Sequence, residues 1–511
     1  MKATQVYKEG RKLLWNDDYF TWVKDNWYSR GEKLDFDDHK YLIDVYKDQS
    51  PFLAFMKSAQ VGATERFITE TIWLPDQNNE NSIYFFPSGG TVSDLVQERI
   101  DEPFNSSPYL SRVSGRSKKM MGKQADKVGL KRMSKGFAYF RSGGSTRQIT
   151  SVAGDMIIVD EVDRIDPKMI SYFDKRLEHS KRKWQRWAST PTIPNFGIHK
   201  IFLDTDQKHY HVKCNHCNDW QALDFFINVD KENEIIFCSK CKKSIIPWQL
   251  EGQWIPKYPE KEKKGFFLTQ LYSPRLNLHK MIEDSERSSE WEIQQFYNQN
   301  LGLPYEPKGA KLTDTDINNC IGSHSQPQHS NKDYVYMGVD VGKRLHYIVR
   351  TKDIIVGIGS VGTFEELADV FKMFNVRGVV LDALPETRKV TEFARKFTKR
   401  VKMNYYTGMA EMSDAKKYWK VDGVKVNSNR TIGLDNVFAE FKQSEVGLPV
   451  NIDTEFRGHL KSTIRVIEEG KSGQMNVKYI ETSDDHYLHA CNYAKLAVNI
   501  FNVATPEVFV L

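Results

Sequence analysis

Three sets of residues in this 511-residue chain have types and spacings suited to chemistry. The first begins with a loop, Lys57-Ser58-Ala-Gln60-Val-Gly62-Ala63-Thr64, between an apolar run (Pro51–Met56) and a helix-like segment at 65–74. A phosphate-binding turn needs backbone N–H groups at a helix N-terminus, a lysine on the phosphates and a hydroxyl on Mg²⁺. Gly62 and Thr64 fall on the second glycine and the hydroxyl of the GxxxxGK[ST] pattern, whereas Ala63 takes the lysine's place and Lys57 that of the first glycine. An ordinary strand-to-helix turn would also account for the loop taken alone. Downstream, the apolar run Met156–Val159 ends in Asp160-Glu161, and Trp184–Ala188 ends in Ser189-Thr190. Asp160 would hold Mg²⁺, directly or through water, and Glu161 would orient and activate an attacking water. Ser189 and Thr190 would sense the terminal phosphate. The three elements follow the order and spacing of a P-loop ATPase and imply ATP as ligand.

The second set is Cys214-Asn-His-Cys217 and Cys238-Ser-Lys-Cys241, two CxxC pairs separated by 20 residues. Thiolates so spaced form two knuckles that can close a tetrahedral Zn²⁺ site, and four thiolates leave no open position, so the role would be structural. His211 and His216 lie close enough in sequence to replace a cysteine, although surface polar roles suit them better.

The third set is acidic. Met337–Val339 runs into Asp340, and Gly378–Leu381 runs into Asp382. Far downstream, Asp484-Asp485 opens a helix-like segment. Three carboxylates at one sheet edge can hold two Mg²⁺ or Mn²⁺ ions that activate water and stabilise the leaving oxygen of a phosphodiester. Asp485 is preferred as third acid because it lies four residues before His489, on one helix face. Asp484 remains open, and either acid could simply cap the helix.

The elements that must position these residues follow two α/β patterns. Apolar runs at 51–56, 82–86, 137–140, 156–159 and 184–188 alternate with helix-like stretches, as in a largely parallel sheet flanked by helices. A second such pattern starts near Tyr334 and passes through 354–358, 365–374 and 378–382 to a helix at 486–501. Expected domains are therefore 1–204, a cysteine module at 205–255, a connecting region at 256–330 and a second α/β domain at 331–511. Composition is that of a globular protein, with 40% apolar and 27% charged residues. No stretch approaches the ~20 apolar residues of a membrane span. No signal peptide is expected, since the first 20 residues hold no apolar run before a cleavage site. The net charge is +6, but residues 112–147 carry eleven Lys/Arg against one acid, Asp126, which suits a polyanionic partner.

The stretches KSAQVGAT, IIVDEVDR and ASTPT resemble the ATPase motifs of large terminases of tailed bacteriophages, in the lambda-like subgroup whose loop lysine comes first, as Lys57 does. The resemblance implies that Lys57 contacts phosphate, Thr64 and Asp160 serve Mg²⁺, Glu161 is the catalytic carboxylate and Ser189-Thr190 couples hydrolysis to motion. It gives the loop residues Ser58, Gln60, Gly62 and Ala63 to the nucleotide. It also implies an RNase H-like nuclease domain carrying Asp340, Asp382 and Asp485, with the zinc module between the two α/β domains. GGSTRQITS resembles a family stretch ahead of the acidic strand, and Arg147 within it could stabilise charge, contact DNA or serve structure. The implied partners are double-stranded DNA, a small terminase subunit, the portal protein of a procapsid and copies of the chain in a ring. The implied location is the host cytoplasm, with transient docking on the procapsid and absence from the mature virion. An ATP-dependent helicase or repair nuclease of similar domain order is the alternative, disfavoured because no segment supplies a second helicase lobe. A DNA-binding scaffold with decayed sites is disfavoured by Lys57, Asp160, Glu161, Asp340 and Asp382.

Overall fold

The computed structural model describes residues 18–114, 126–327, 334–407, 418–469 and 475–502. The chain divides into two compact units, one ending at Glu306 and the other beginning at Pro307.

Seven parallel strands form the heart of the first unit: β1 (Phe52–Lys57), β2 (Ser82–Phe86), β3 (Phe137–Ser142), β4 (Met156–Val159), β5 (Trp184–Ser189), β6 (Lys208–Lys213) and β7 (Lys264–Leu268). Their order across the sheet is β6-β7-β1-β5-β4-β2-β3. Strands such as β2 and β4 are buried at every position and, but for Ser82, carry apolar or aromatic side chains, as a sheet covered on both faces requires. Short antiparallel strands extend both edges, Leu130–Arg132 on β3 and Trp220–Ala222 with Gly252–Pro256 on β6. The cysteine-bearing stretch therefore grows directly from the sheet. Strand β7, within the expected connecting region, lies beside the phosphate-loop strand β1.

Helix α1 (Ala63–Gln77) leaves β1 through a tight turn, with Gly62 as N-cap at φ +83°. A Cβ there would press on Leu42 as well as strain the backbone. Beneath the helix lies a buried charge triad. Glu70 accepts from the Arg186 Nε and NH2 at 2.9 and 3.0 Å and pairs with Arg66, all three side chains being fully enclosed.

The second unit is built on β8 (Tyr336–Val341), β9 (Leu345–Arg350), β10 (Ile355–Val361), β11 (Gly378–Asp382), β12 (Val401–Tyr406) and β13 (Lys425–Ser428). The order is β10-β9-β8-β11-β12-β13. The β8-β9-β10 meander is antiparallel, while β11, β12 and β13 run parallel to β8. This is the second α/β sheet expected from the sequence, mixed rather than wholly parallel. Side chains alternate between faces. Met337, Val339, Val379 and Leu381 meet α2 (Phe364–Met373) and α3 (Thr387–Lys396) in one core. The other face is covered by α6 (His486–Phe501), with Tyr336 and Val380 packed against Tyr493 and Leu496. Gly338 lets α6 lie directly on β8, since a Cβ there would overlap the Ala490 carbonyl and the Ala494 amide. Two further helices, α4 (Arg430–Lys442) and α5 (Thr454–Lys461), and a hairpin, β14 (Thr463–Glu469) with β15 (Met475–Glu481), complete this side. Residues 323–327, within the expected connecting region, are bonded into this unit, Gln326 exchanging hydrogen bonds with Asn451. No described helix is long and apolar enough to cross a membrane.

Candidate functional site

The loop after β1 brings together two of the three sequence elements by direct contact. The Lys57 Nζ lies 3.3 Å from the Glu161 Oε1, and the Thr64 hydroxyl donates to the Asp160 Oδ2 at 3.2 Å. Burial disfavours the Lys57 ammonium, but Glu161 and Asp160 outweigh it and hold the lysine charged. Burial opposes ionisation of Glu161 as well, yet Lys57 and Arg164 prevail and keep its carboxyl below the usual range. Asp160 differs: its burial wins over the pull of Lys57 and raises its carboxyl. Its oxygens already accept from the Tyr84 hydroxyl at 2.7 Å and the Glu161 amide at 2.9 Å. Glu161 itself sits at φ +54°, a strained position that turns its side chain toward Lys57.

The residues fit a nucleotide's phosphates. The Ser58 hydroxyl is buried with no hydrogen-bond partner among the described residues. The first-turn amides of α1, from Ala63 onward, have no acceptor within the helix. Gln60, at φ +60°, and Gly62 bend the loop around the space between. The start of the loop is anchored from elsewhere in the unit: the Ser58 amide donates to the Leu268 carbonyl at 2.7 Å and the Ala59 amide to that of Gln299 at 2.8 Å. Asn298 and Tyr305, on the same segment, both donate to the Thr192 carbonyl just past the Ser189-Thr190 motif.

Ser189 meets the acidic turn through Asp163, whose amide donates to the Ser189 hydroxyl at 3.4 Å. The Asp163 carboxylate accepts from the Thr192 amide and hydroxyl, both at 2.8 Å, and from the Ile198 amide at 2.7 Å. Burial pushes its carboxyl up to about 7. Asp163 and Tyr84 escaped the sequence reading. Asp163 stands in the quoted stretch IIVDEVDR, but its partners lie about thirty residues on, and Tyr84 reads simply as part of an apolar strand. Arg147 is exposed and, with Arg141 and Gln148, lines an open groove of about 620 Å³. Residues 115–125, the middle of the basic stretch, lie outside the described residues.

The four cysteines converge. Sγ–Sγ distances are 3.8 Å for Cys214–Cys241 and 3.7 Å for Cys217–Cys238. Thiolates about 2.3 Å from a tetrahedral zinc lie about 3.8 Å apart, so the cluster has the right dimensions for that ion. The His216 amide donates to the Cys214 sulfur at 3.4 Å, while its ring meets the Ser244 carbonyl, which leaves four sulfurs as the donor set.

In the second unit, Asp340 and Asp382 lie on adjacent parallel strands, each one residue beyond the paired Val339 and Leu381. They therefore share the α6 face of the sheet at one edge. Burial pushes Asp382 up to about 6, the Leu384 amide pulling it down and Asp340 adding to the rise. Asp340 receives the His486 Nδ1 at 2.9 Å, and this contact raises the imidazole's pKa. Asp485 meets His489 at 3.3 Å, as their spacing predicts, and also the Thr463 hydroxyl at 3.2 Å, with Arg430 3.8 Å away. Burial works against its ionisation, but His489 and Arg430 outweigh that and hold it below the usual range. The Tyr406 hydroxyl lies 2.8 Å from the other nitrogen of His489. Among the described residues, donor atoms within 4.8 Å of one another group Asp340 with His346 and His486, and Asp485 with Glu481 and His489; Asp382 belongs to neither group. Arg430, Glu481, Tyr406 and His346 carry no sequence signal, because each lies inside an ordinary helix, strand or turn pattern.

No curated protein matches this chain. Among solved structures, the large terminase of a thermophilic bacteriophage is similar over 94% of this chain and 97% of its own, at 12% identity and a TM-score of 0.31. The large terminase nuclease of thermophilic phage G20c, with bound magnesium, is similar over 36% of this chain and 95% of its own, at 12% identity and a TM-score of 0.26. Residues 42–252 match the family model described as phage terminase large subunit gpA, ATPase domain. That span contains Lys57, Thr64, Asp160, Glu161, Ser189, Thr190 and all four clustered cysteines. Over these residues, a little over two fifths of the chain, the sequence is similar to the gpA family of phage terminase ATPase domains.

Proposed function

We propose that this chain is a terminase large subunit, which hydrolyses ATP in its first unit to drive double-stranded viral DNA into a procapsid and cuts the DNA concatemer with its second. The observation that carries the reading is the pairing of Lys57 with Glu161 and of Thr64 with Asp160, inside a segment of the gpA family. In this reading Lys57 moves from Glu161 to the phosphates, which frees the carboxylate to orient water. Thr64 and Asp160 serve Mg²⁺, and Ser58, Gln60, Gly62 and Ala63 line the phosphates. Ser189 and Thr190 pass the change on through Asp163.

For cleavage, Asp340, Asp382 and Asp485 would hold two Mg²⁺ or Mn²⁺ ions, which when bound supply a nucleophilic water and stabilise the leaving oxygen. Asp485 reaches that role only by giving up part of its contact with His489 and Arg430. Four thiolates would hold one structural Zn²⁺. Basic residues of 112–147 would contact phosphates, giving affinity with little sequence information. A small terminase subunit would then choose the site. Work would be done in the host cytoplasm by a ring docked on the portal, and the ring would leave before the virion matures.

A packaging assay with purified procapsids tests the reading. The expected result is ATP-dependent protection of linear DNA from nuclease, lost in Lys57→Ala. Strand separation of duplex DNA with no protection would favour a helicase and sink the proposal.

A further inference from the structure

Beside the carboxylates, a second set of donors has no place in the reading above. His346 on β9 is the register partner of Asp340. Its side chain is 94% enclosed, yet its Nδ1 has no hydrogen-bond partner among the described residues. The His346 Nε2 lies 3.6 Å from the Glu455 Oε1. Glu455 and His459 are four residues apart on α5, so both side chains project from one helix face. One donor atom from each of His346, Glu455 and His459 falls within 4.8 Å of the others. The rings of His346 and His459 meet at 5.5 Å, and His486 stacks on His346 at 4.6 Å. A buried imidazole nitrogen left unpaired is costly. Among the described residues, the polar contact at the ring of His459 is a 3.4 Å approach of the Tyr487 amide.

The geometry points to a divalent transition-metal site formed by His346, Glu455 and His459. Two imidazoles and one carboxylate suit borderline ions such as Zn²⁺ or Co²⁺ rather than Mg²⁺. Ligand atoms about 2.0–2.2 Å from such an ion sit about 3.3–3.5 Å apart, close to the 3.6 Å separation of His346 and Glu455. This site does not depend on the nuclease reading, because neither Glu455 nor His459 belongs to the carboxylate set.

The test uses the full chain dialysed against micromolar Co²⁺ with excess Mg²⁺, which occupies oxygen-rich sites. Bound cobalt is counted by mass spectrometry, and thiolate-to-cobalt absorption reports the cysteine cluster separately. Glu455→Gln and His459→Gln should each remove one cobalt per chain and leave the thiolate absorption unchanged. Losing an outer partner of a metal ligand costs about 10–100-fold in affinity, so losing a ligand should weaken binding at least as much. Unchanged cobalt content in Glu455→Gln, whose half-exposed side chain can be altered without unfolding the unit, overturns the proposal. So does loss of the ion in Asp340→Ala but not in Glu455→Gln, which would place it with Asp340 and His486.

Discussion

The two acidic sites are assembled in opposite ways. In the first unit the functional side chains hold one another: Lys57 is bonded to Glu161 and Thr64 to Asp160. In the second, each acid is held by a different neighbour, Asp340 by His486 and Asp485 by His489 and Thr463, and Asp382 joins no donor cluster among the described residues. A site whose charges neutralise one another is shaped before its ligand arrives. Acids that share no donor cluster would, in the proposed nuclease, be drawn together by the cations they bind, because like charges resist convergence.

The largest effect should come from the second site. Asp340→Ala or Asp382→Ala should bring plasmid cleavage to background while ATP hydrolysis stays at the wild-type rate. Cleavage persisting in both variants would show that this edge of the sheet does not cut. Next, Lys57→Ala should lower DNA-stimulated ATP hydrolysis roughly 100- to 1000-fold, as expected when a charge facing the transition state is removed. Cleavage in that variant should be unaffected; a parallel fall in both activities would mean that the two sites are not separable.

A third comparison is with the triad beneath α1. Glu70→Ala strands the Arg66 and Arg186 guanidiniums in a fully enclosed space and should cost about 3–5 kcal/mol by chemical denaturation of the first unit. A loss below about 1 kcal/mol would show that water reaches the triad.

The smallest effect concerns Asp163, whose carboxyl is raised to about 7 by burial. For an acid raised by folding, the stability it contributes is whole below the unfolded value of about 4 and is lost as pH rises through about 7. Asp163→Asn should flatten that part of the profile in thermal unfolding between about pH 5 and about pH 8. An unchanged slope would mean that the hydrogen bonds from Thr192 and Ile198 keep the group ionised throughout.

What could be read from the sequence follows the range of the chemistry. Lys57, Asp160 and Asp340 stand at the ends of apolar strands and Thr64 in the first turn of the helix that follows, where local pattern alone fixes both the element and the direction of the chain. The cysteine pairs were legible for the same reason, since a knuckle is only four residues long. Placement of β7 beside β1 was not, because a parallel partner 211 residues away in sequence (Leu53 with Lys264) leaves no local mark. Nor was the meeting of His346 with α5, which joins a strand to a helix more than a hundred residues on. The basic stretch was visible as charge, but charge alone names no element, and its middle lies outside the described residues.

The anchoring of the loop has a mechanical consequence. The Ala59 amide is bonded to Gln299, while Asn298 and Tyr305 grip the carbonyl of Thr192. Residues 298–305 thus tie the loop after Lys57 to the turn that follows Ser189-Thr190, and the first unit ends one residue later. In the proposed motor, a nucleotide that reshaped the turn after Lys57 would either break the Ala59 tether or carry that strap with it.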